Sequence, residues 1–285
     1  MTTSAPRISV IVPTFNQGRF IEQTLLSIEG QSYPDLEIIV VDGGSTDETR
    51  SVLERHDARL TRWVSEPDRG QAHAINKGFR MATGSILAWL NSDDLYMPGA
   101  LLEVARRLGD ATAPKLVYGG CLHFFDGSSR AFTDRVQAHD RRRLTRTDYI
   151  IQPSAFWTRA LWEAAGEVDE SLHFVMDWDW FIRASRAGEF ERLDAVLSLY
   201  RHHDGHKTGA GGARRAREVV ALVEKYDEAG FAPAYRDLAE RFDEHRRAIR
   251  VVEKLHAWRL RKLALPRLYA KHGADKIDAA IGMLF

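Results

Sequence analysis

Residues 8–16 read ISVIVPTFN and residues 37–48 read EIIVVDGGSTDE, and these two stretches decide the fold. Each carries a β-branched apolar run, Ile8–Val12 broken only by Ser9 and Ile38–Val41 unbroken. A run without alternation reads as a strand buried on both faces, as in a parallel sheet. Pro13 stops the first run, and Asp42-Gly43-Gly44 ends the second. Between them Phe20, Ile21, Leu25 and Ile28 recur at helical spacing. Ser45 to Glu48 has capping-box spacing and opens a helix expected to end near His56. A short strand around Leu60–Val64, a polar loop Ser65–Gly70, a helix Gln71–Ala82 and a strand Ser85–Leu90 follow. The last stops at Asn91-Ser92-Asp93-Asp94. Three or four βα units in the first hundred residues predict an α/β fold, with an open, right-handed, doubly wound and mostly parallel sheet of Rossmann-like type.

Outward from this block the pattern loosens. Lys115–Phe125 reads as one or two strands around Gly119-Gly120. Residues 126–150 hold the cluster Arg141-Arg142-Arg143 and Arg146, which could meet a ligand phosphate or form a solvated face. Short helices are expected over Thr158–Ala165 and Asp177–Ala187, and a closing strand over Val196–Tyr200. The break at Gly209–Gly212 is the best domain boundary. It divides a first domain, residues 1–208, from a helical tail, residues 209–285. The first splits into halves of about 1–97 and 98–208. In the tail, residues 214–229 and roughly 234–263 read as amphipathic helices, with Leu238, Phe242, Ile249 and Val252 on one stripe.

The 285 residues are 44% hydrophobic and 28% charged, a globular balance that excludes wholesale disorder. Forty basic residues cancel forty acidic ones, so no whole-chain field points to nucleic acid. Residues 209–285 nevertheless carry 16 basic and 11 acidic side chains, net +5, against 24 and 29, net −5, before them. The single cysteine, Cys121, excludes an internal disulfide and suits a reducing compartment. MTTSAPR leads into a strand-like run too short for a signal-peptide core, and no stretch approaches the roughly 20 apolar residues of a membrane span. The expectation is a soluble, cytoplasmic chain, or one lying on the inner face of a membrane.

Ligands of open α/β sheets bind beyond the carboxyl ends of the strands, at the switch point of strand order. There the sequence places Pro13-Thr14-Phe15-Asn16, then Asp42 to Ser45, then Asp93-Asp94. An aromatic, a lone carboxylate and a carboxylate pair share one edge with no lysine. An acidic crevice that takes an anionic ligand needs a divalent cation, Mg²⁺ or Mn²⁺, held by one or two carboxylates and the ligand's phosphates. The alternative for Asp93-Asp94 is a helix cap before Pro98.

Taken in order, ISVIVPTFNQGRFIEQTLLSI, EIIVVDGGSTDET, SEPDRGQAHAINKGFRMATG, ILAWLNSDDLYMPGAL and FVMDWDWFIRA resemble the inverting family-2 glycosyltransferases of GT-A fold over roughly residues 7–208. The resemblance implies a nucleotide-diphosphate-sugar donor. Pro13, Thr14, Phe15, Asn16, Asp42 and Gly44 would surround the nucleoside, with Phe15 stacked on the base and Asp42 accepting a base N–H. That acceptor suits uracil, thymine or guanine and not cytosine, so UDP or dTDP is expected first and GDP next. Asp68, Gln71, Asn76 and Lys77 would flank the donor, beside Glu66. Asn91–Asp94 stands where the family carries its DxD-type motif, with Asn91 in the first position. Asp94 would ligate the metal, Asp93 the ribose or the metal's waters, and His203 would join the shell, favouring Mn²⁺. Lys207 would meet phosphate.

Asp177 matches the family's catalytic base, the proton acceptor that attack by a hydroxyl requires. Gln152, Trp178 and Asp179 would line the acceptor side, although Trp178 reads first as core and Asp179 as structural or acceptor-binding. The acceptor would be a glycan, a glycolipid or a lipid-linked sugar. The Gln-x-x-Arg-Trp segment of polymerising relatives is missing after Asp177, which implies a non-processive enzyme. The competing reading is a catalytically silent sugar-nucleotide-binding or scaffold protein, disfavoured because a pure binder needs no base. A nucleotidyltransferase would be expected to carry a basic, glycine-rich first loop, and no Gly-x-Gly-x-x-Gly supports dinucleotide binding. Residues 241–276 hold 11 basic and 4 acidic side chains among apolar ones. Such helices are expected to lie on an anionic membrane, pack on the catalytic domain, or pair two subunits.

Overall fold

Ile8–Thr14 forms the central strand β1, and all seven of its residues are buried, because strands flank both of its edges. The computed structural model describes residues 5–110, 112–205, 207, 211–254 and 261–285. From β1 the chain runs through α1 (Ile21–Glu29), β2 (Leu36–Asp42), α2 (Thr49–His56), β3 (Arg62–Ser65), α3 (Gln71–Met81), β4 (Ile86–Trp89), β5 (Leu95–Tyr96), α4 (Ala100–Leu108), β6 (Lys115–Phe125) and β7 (Ala131–Thr133). Then come α5 (Arg141–Leu144), β8 (Ala155–Thr158), α6 (Arg159–Ala165), α7 (Met176–Ala187) and β9 (Glu189–His202).

The sheet order is β3-β2-β1-β4-β8-β6-β9-β5, with β7 on β6. The first four strands are all parallel, as the buried runs predict. Beyond β4 the expectation of a mostly parallel sheet gives way. β8 runs antiparallel to both β4 and β6, whereas β6 and β9 are parallel. The expected short closing strand is the end of a 14-residue strand, β9. The chain leaves β1 toward β2 on one side and returns to β4 on the other, so the switch point lies between β1 and β4.

Helix α3 lies close against β1 because Gly78 has no side chain: a Cβ there would collide with Ile11. The capping box foreseen at Ser45–Glu48 does not form. The N-cap of α2 is Glu48, without a side-chain cap, because Ser45 is bonded to Asp42.

The chain divides into two compact units, Met1–His139 with Tyr149–Asp204, and Asp140–Asp148 with Gly205–Phe285. The second contains α5 and the helices α8 (Gly212–Tyr226), α9 (Ala232–Glu240), α10 (Phe242–Lys254), α11 (Arg261–Ala264), α12 (Pro266–His272) and α13 (Ala274–Leu284). The stripe Leu238, Phe242, Ile249 and Val252 is buried, as its spacing requires. The single helix expected over 234–263 is interrupted at Arg241, which leaves helical geometry. Gly209 of the glycine break lies outside the described residues. In α5, Asp140 caps the N–H groups of Arg142 and Arg143, the Arg146 carbonyl accepts from the Tyr235 hydroxyl, and the Arg146 guanidinium lies 4.3 Å from the Phe231 ring centroid. The arginine cluster thus belongs to the helical unit. Among the described residues no helix is long and apolar enough to cross a membrane.

Candidate functional site

At the end of β1 the backbone turns outward and leaves Phe15 59% exposed, an aromatic face available for stacking. Pro13 and Thr14 remain buried in the strand, and the Thr14 hydroxyl has no partner among the described residues. Asn16 adopts φ 52°, a left-handed conformation that asparagine tolerates. Its N–H donates to Ser45 Oγ at 2.7 Å, and its Oδ1 accepts from Thr46 N–H at 2.9 Å. Asn16 therefore joins the β1 and β2 ends to each other.

Asp42 is fully buried. Its carboxylate accepts from the Ser45 N–H and hydroxyl and from Ser65 Oγ at 2.6 Å. Asp42 thus shapes the turn that ends β2. Gly44 holds φ +84°, and a Cβ there would press on Pro67 N at 3.2 Å, so both the turn and the close approach require glycine.

The flanking residues separate into two groups. Asp68 accepts from Gly70 N–H at 2.7 Å and shapes the turn into α3. Lys77 pairs with Glu66, whose carboxyl this contact holds below its ordinary value. Gln71 donates from Nε2 to Asn91 Oδ1 at 2.8 Å, which brings it to the β4 end. Asn76 is not at the site. It is 1% exposed, and its amide donates to the Val168 carbonyl and Glu170 while accepting from Val168 N–H. It staples the segment ahead of α7, and its expected donor contact is withdrawn because both of its polar atoms are used.

The β4 end carries the densest chemistry. Asp94 is 2% exposed. Burial, reinforced by the neighbouring Asp93, pushes its carboxyl well above the ordinary range. Asp94 Oδ1 accepts from Arg201 N–H at 3.1 Å. His203 Nε2 donates to Asp93 Oδ2 at 3.1 Å, and its ring packs 4.5 Å from Phe20. The helix-cap alternative for the pair fails, since the N-cap of α4 is Gly99.

Asn91 explains its own departure from an acidic residue. Its Oδ1 takes the Gln71 bond, while its Nδ2 lies 3.4 Å from Gln152 Oε1 and 3.5 Å from Asp94 Oδ2. A carboxylate there could donate to neither and would add a third negative charge. Gln152 is 6% exposed and donates to the Trp89 carbonyl at 2.8 Å, which anchors it beside the same edge.

The sequence assigns Arg201 no role, although it shares a segment with His203 and Lys207. Its guanidinium is buried, lies 5.0 Å from the Phe20 centroid and 4.8 Å from that of Phe124, and donates to the Asp93 carbonyl and to Gln23 Oε1. It locks β9 onto the carboxylate loop. Those partners lie 108 and 178 positions away in the chain, so no local pattern announces them. Lys207 belongs to the helical unit.

Helix α7 presents Asp177 in its first turn, partly exposed, with Oδ1 accepting from Trp178 N–H at 2.9 Å. The helix is tied to the sheet through Trp180, whose ring lies 4.5 Å from Trp157 on β8, itself 5.4 Å from Trp89 on β4. Trp178 is 1% exposed, so it is core and lines no acceptor surface. Asp179 is likewise structural. It is fully buried against Arg183 Nε at 2.8 Å, and Arg183 in turn donates to the carbonyls of Ala165 and Glu167. Asp179→Ala should cost about 3 kcal/mol, because it leaves the partly buried Arg183 guanidinium without its carboxylate partner. Urea unfolding checks this, and unchanged stability would return Asp179 to the list of acceptor contacts.

The mixed sheet, parallel across β3-β2-β1-β4, carries an exposed aromatic, a carboxylate pair and a histidine at its strand ends, and its fold is that of the GT-A glycosyltransferases. The particular family is equally plain: the glycosyl transferase family 2 model matches residues 9–161, and the chain belongs to that family. A PGL/p-HBAD biosynthesis glycosyltransferase of Mycobacterium bovis is 34% identical over 185 residues, covering 63% of this chain and 70% of the relative. A GalNAc(5)-diNAcBac-PP-undecaprenol beta-1,3-glucosyltransferase of Campylobacter jejuni is 32% identical over 151 residues, 51% of this chain and 48% of that one. The mannosyltransferase PcManGT from Pyrobaculum calidifontis, solved with GDP-Man and Mn²⁺, superposes with TM-score 0.62 over 98% of this chain and 79% of its own. At 24% identity that likeness concerns the fold alone. The chain is a glycosyltransferase, and the silent-binder reading falls away.

Proposed function

We propose that this glycosyltransferase moves a sugar from a nucleoside-diphosphate donor to a hydroxyl of a glycan or lipid-linked acceptor, in one displacement with inversion at the anomeric carbon. The observation that carries the proposal is the gathering of Asp93, Asp94 and His203 at the carboxyl end of β4, beside the switch point of the sheet. A carboxylate pair, Asp94 buried and Asp93 partly exposed, with an imidazole beside it is a donor set that would suit a divalent cation, and the imidazole inclines it toward Mn²⁺ over Mg²⁺. Asp94 and His203 would hold the ion, with Asp93 directed to the ribose or to the ion's waters. Among the described residues no group of three or more His, Cys, Asp or Glu side chains is arranged to hold a metal ion on its own. A cage is unnecessary where substrate phosphates supply the remaining ligands. When bound, the cation supplies Lewis-acid neutralisation of the charge that develops on the departing diphosphate.

The chain's own groups do the rest. Phe15 stacks on the base, while Asn16, Asp42 and Gly44 hold the loops that border it. Gln71, Asn91 and Gln152 fix the carboxylate loop from the other side. Asp177 takes the proton of the attacking hydroxyl, so that one base and one stabilised leaving group suffice without a covalent intermediate. The proposed catalytic domain is residues 1–208, of which Asp140–Asp148 and the residues from Gly205 onward belong to the helical unit.

Thermal unfolding with UDP, dTDP, GDP and CMP sugars, each with and without Mn²⁺, tests the donor. At saturation a ligand of the folded state should raise the melting point by about 5 °C. We expect UDP or dTDP sugars to do so first, GDP next, and only with the metal. A flat response to all four would overturn the donor assignment.

A further inference from the structure

We propose that α11 and α12 seat the chain on an anionic lipid surface through the face made by Lys262, Leu263, Pro266, Arg267, Ala270 and Lys271. This goes beyond the catalytic reading and depends on none of its residues. From Lys254 to Ala274 the sequence has six Lys and Arg and no Asp or Glu, in a chain whose total charges cancel. The two helices act almost as one: Leu265 N–H donates to the Arg261 carbonyl at 3.2 Å, and Tyr269 N–H to the Leu265 carbonyl at 3.1 Å.

Exposure along this rod recurs in adjacent pairs, 262–263, 266–267 and 270–271, a four-residue period that marks one helical face. At about 100° per residue, Pro266, Ala270 and Leu263 fall in the middle of it. Lys262 lies to one side, and Arg267 and Lys271 to the other. Leu263 is 74% exposed, the most of any large apolar side chain among the described residues.

The reverse side is already occupied within the helical unit. Leu265 is buried. Arg261 and the Tyr269 hydroxyl both donate to Asp278 on α13, and His272 pairs with Asp237 on α9 at 2.6 Å. Lys271 also reaches Asp237, yet its side chain stays 62% exposed. Helix packing thus accounts for one side and leaves an apolar strip between two cationic flanks on the other. That is the pattern of a helix lying at the headgroup boundary, apolar side chains inserted and cations meeting lipid phosphates.

The test is co-sedimentation of the full chain with vesicles of phosphatidylcholine alone and of equal parts phosphatidylcholine and phosphatidylglycerol. Binding is expected only with the anionic vesicles and should be released by high salt. Lys262→Gln/Arg267→Gln should weaken it about thirtyfold, near fivefold per cation. Leu263→Gln should weaken it about tenfold. All three positions are exposed, so melting points are expected to match the parent, and a matched melt makes the binding loss interpretable. Equal behaviour of parent and variants would overturn the proposal. So would indifference to lipid charge, retention by duplex DNA in place of vesicles, or self-association abolished by Leu263→Gln without any vesicle binding. Because the readout is sedimentation and not sugar transfer, this surface can fail while the catalytic reading stands, and the reverse.

Discussion

Asp94→Asn is expected to lower turnover by at least about a hundredfold and to remove the response to added Mn²⁺ or Mg²⁺. The magnitude follows from the several kcal/mol that metal neutralisation of a leaving group supplies, of which about 2.7 kcal/mol already equals a hundredfold. The substitution gives up the 3.5 Å contact from Asn91 Nδ2 to Asp94 Oδ2 and little else. An asparagine oxygen can still accept from Arg201 N–H as Asp94 Oδ1 does, and a neutral amide escapes the burial and the Asp93 repulsion that raise the native carboxyl. The fold should therefore be as stable as the parent, or more so, in a thermal melt. Turnover assays across a Mn²⁺ titration decide the matter. Full activity in this variant would exclude the metal assignment.

Asp177→Asn should reduce transfer by at least about a hundredfold while leaving donor binding intact, since loss of a general base costs roughly 10² to 10⁴ in rate. Asp177 lies partly exposed at the start of α7, whereas Asp179, two residues on, is fully buried and bound to Arg183. The two carboxylates should accordingly fail in different ways: Asp177→Asn in rate with stability kept, Asp179→Ala in stability. Donor affinity measured by thermal shift, beside kcat for transfer, separates a lost base from a lost binding site. Unchanged transfer by Asp177→Asn would move the base elsewhere.

Much of this was legible along the chain. Ile8–Val12 and Ile38–Val41 announced central parallel strands because burial on both faces removes alternation, and the structure buries them so. The stripe Leu238, Phe242, Ile249 and Val252 was legible for the same kind of reason. The roles of polar residues were less so. Ser45 has capping spacing but bonds Asp42, because a carboxylate buried at the end of β2 needs donors more than a helix start needs a cap. Asn76 resembles a donor contact in its motif but holds Val168, 92 positions away.

What the sequence determined by itself is what depends on periodicity and short range: the parallel βα block, the acidic edge at Asp93-Asp94, the exposed aromatic after β1, and the family. Only the tertiary structure decided which polar groups are free to act and which are consumed. The antiparallel insertion of β8 between β4 and β6, the burial of Arg201 over the carboxylate loop and the sequestering of Trp178 and Asp179 all arise from contacts between distant segments. The physical reason is that a buried polar atom must find a partner wherever the fold supplies one, and that partner's place in the chain leaves no trace in local spacing.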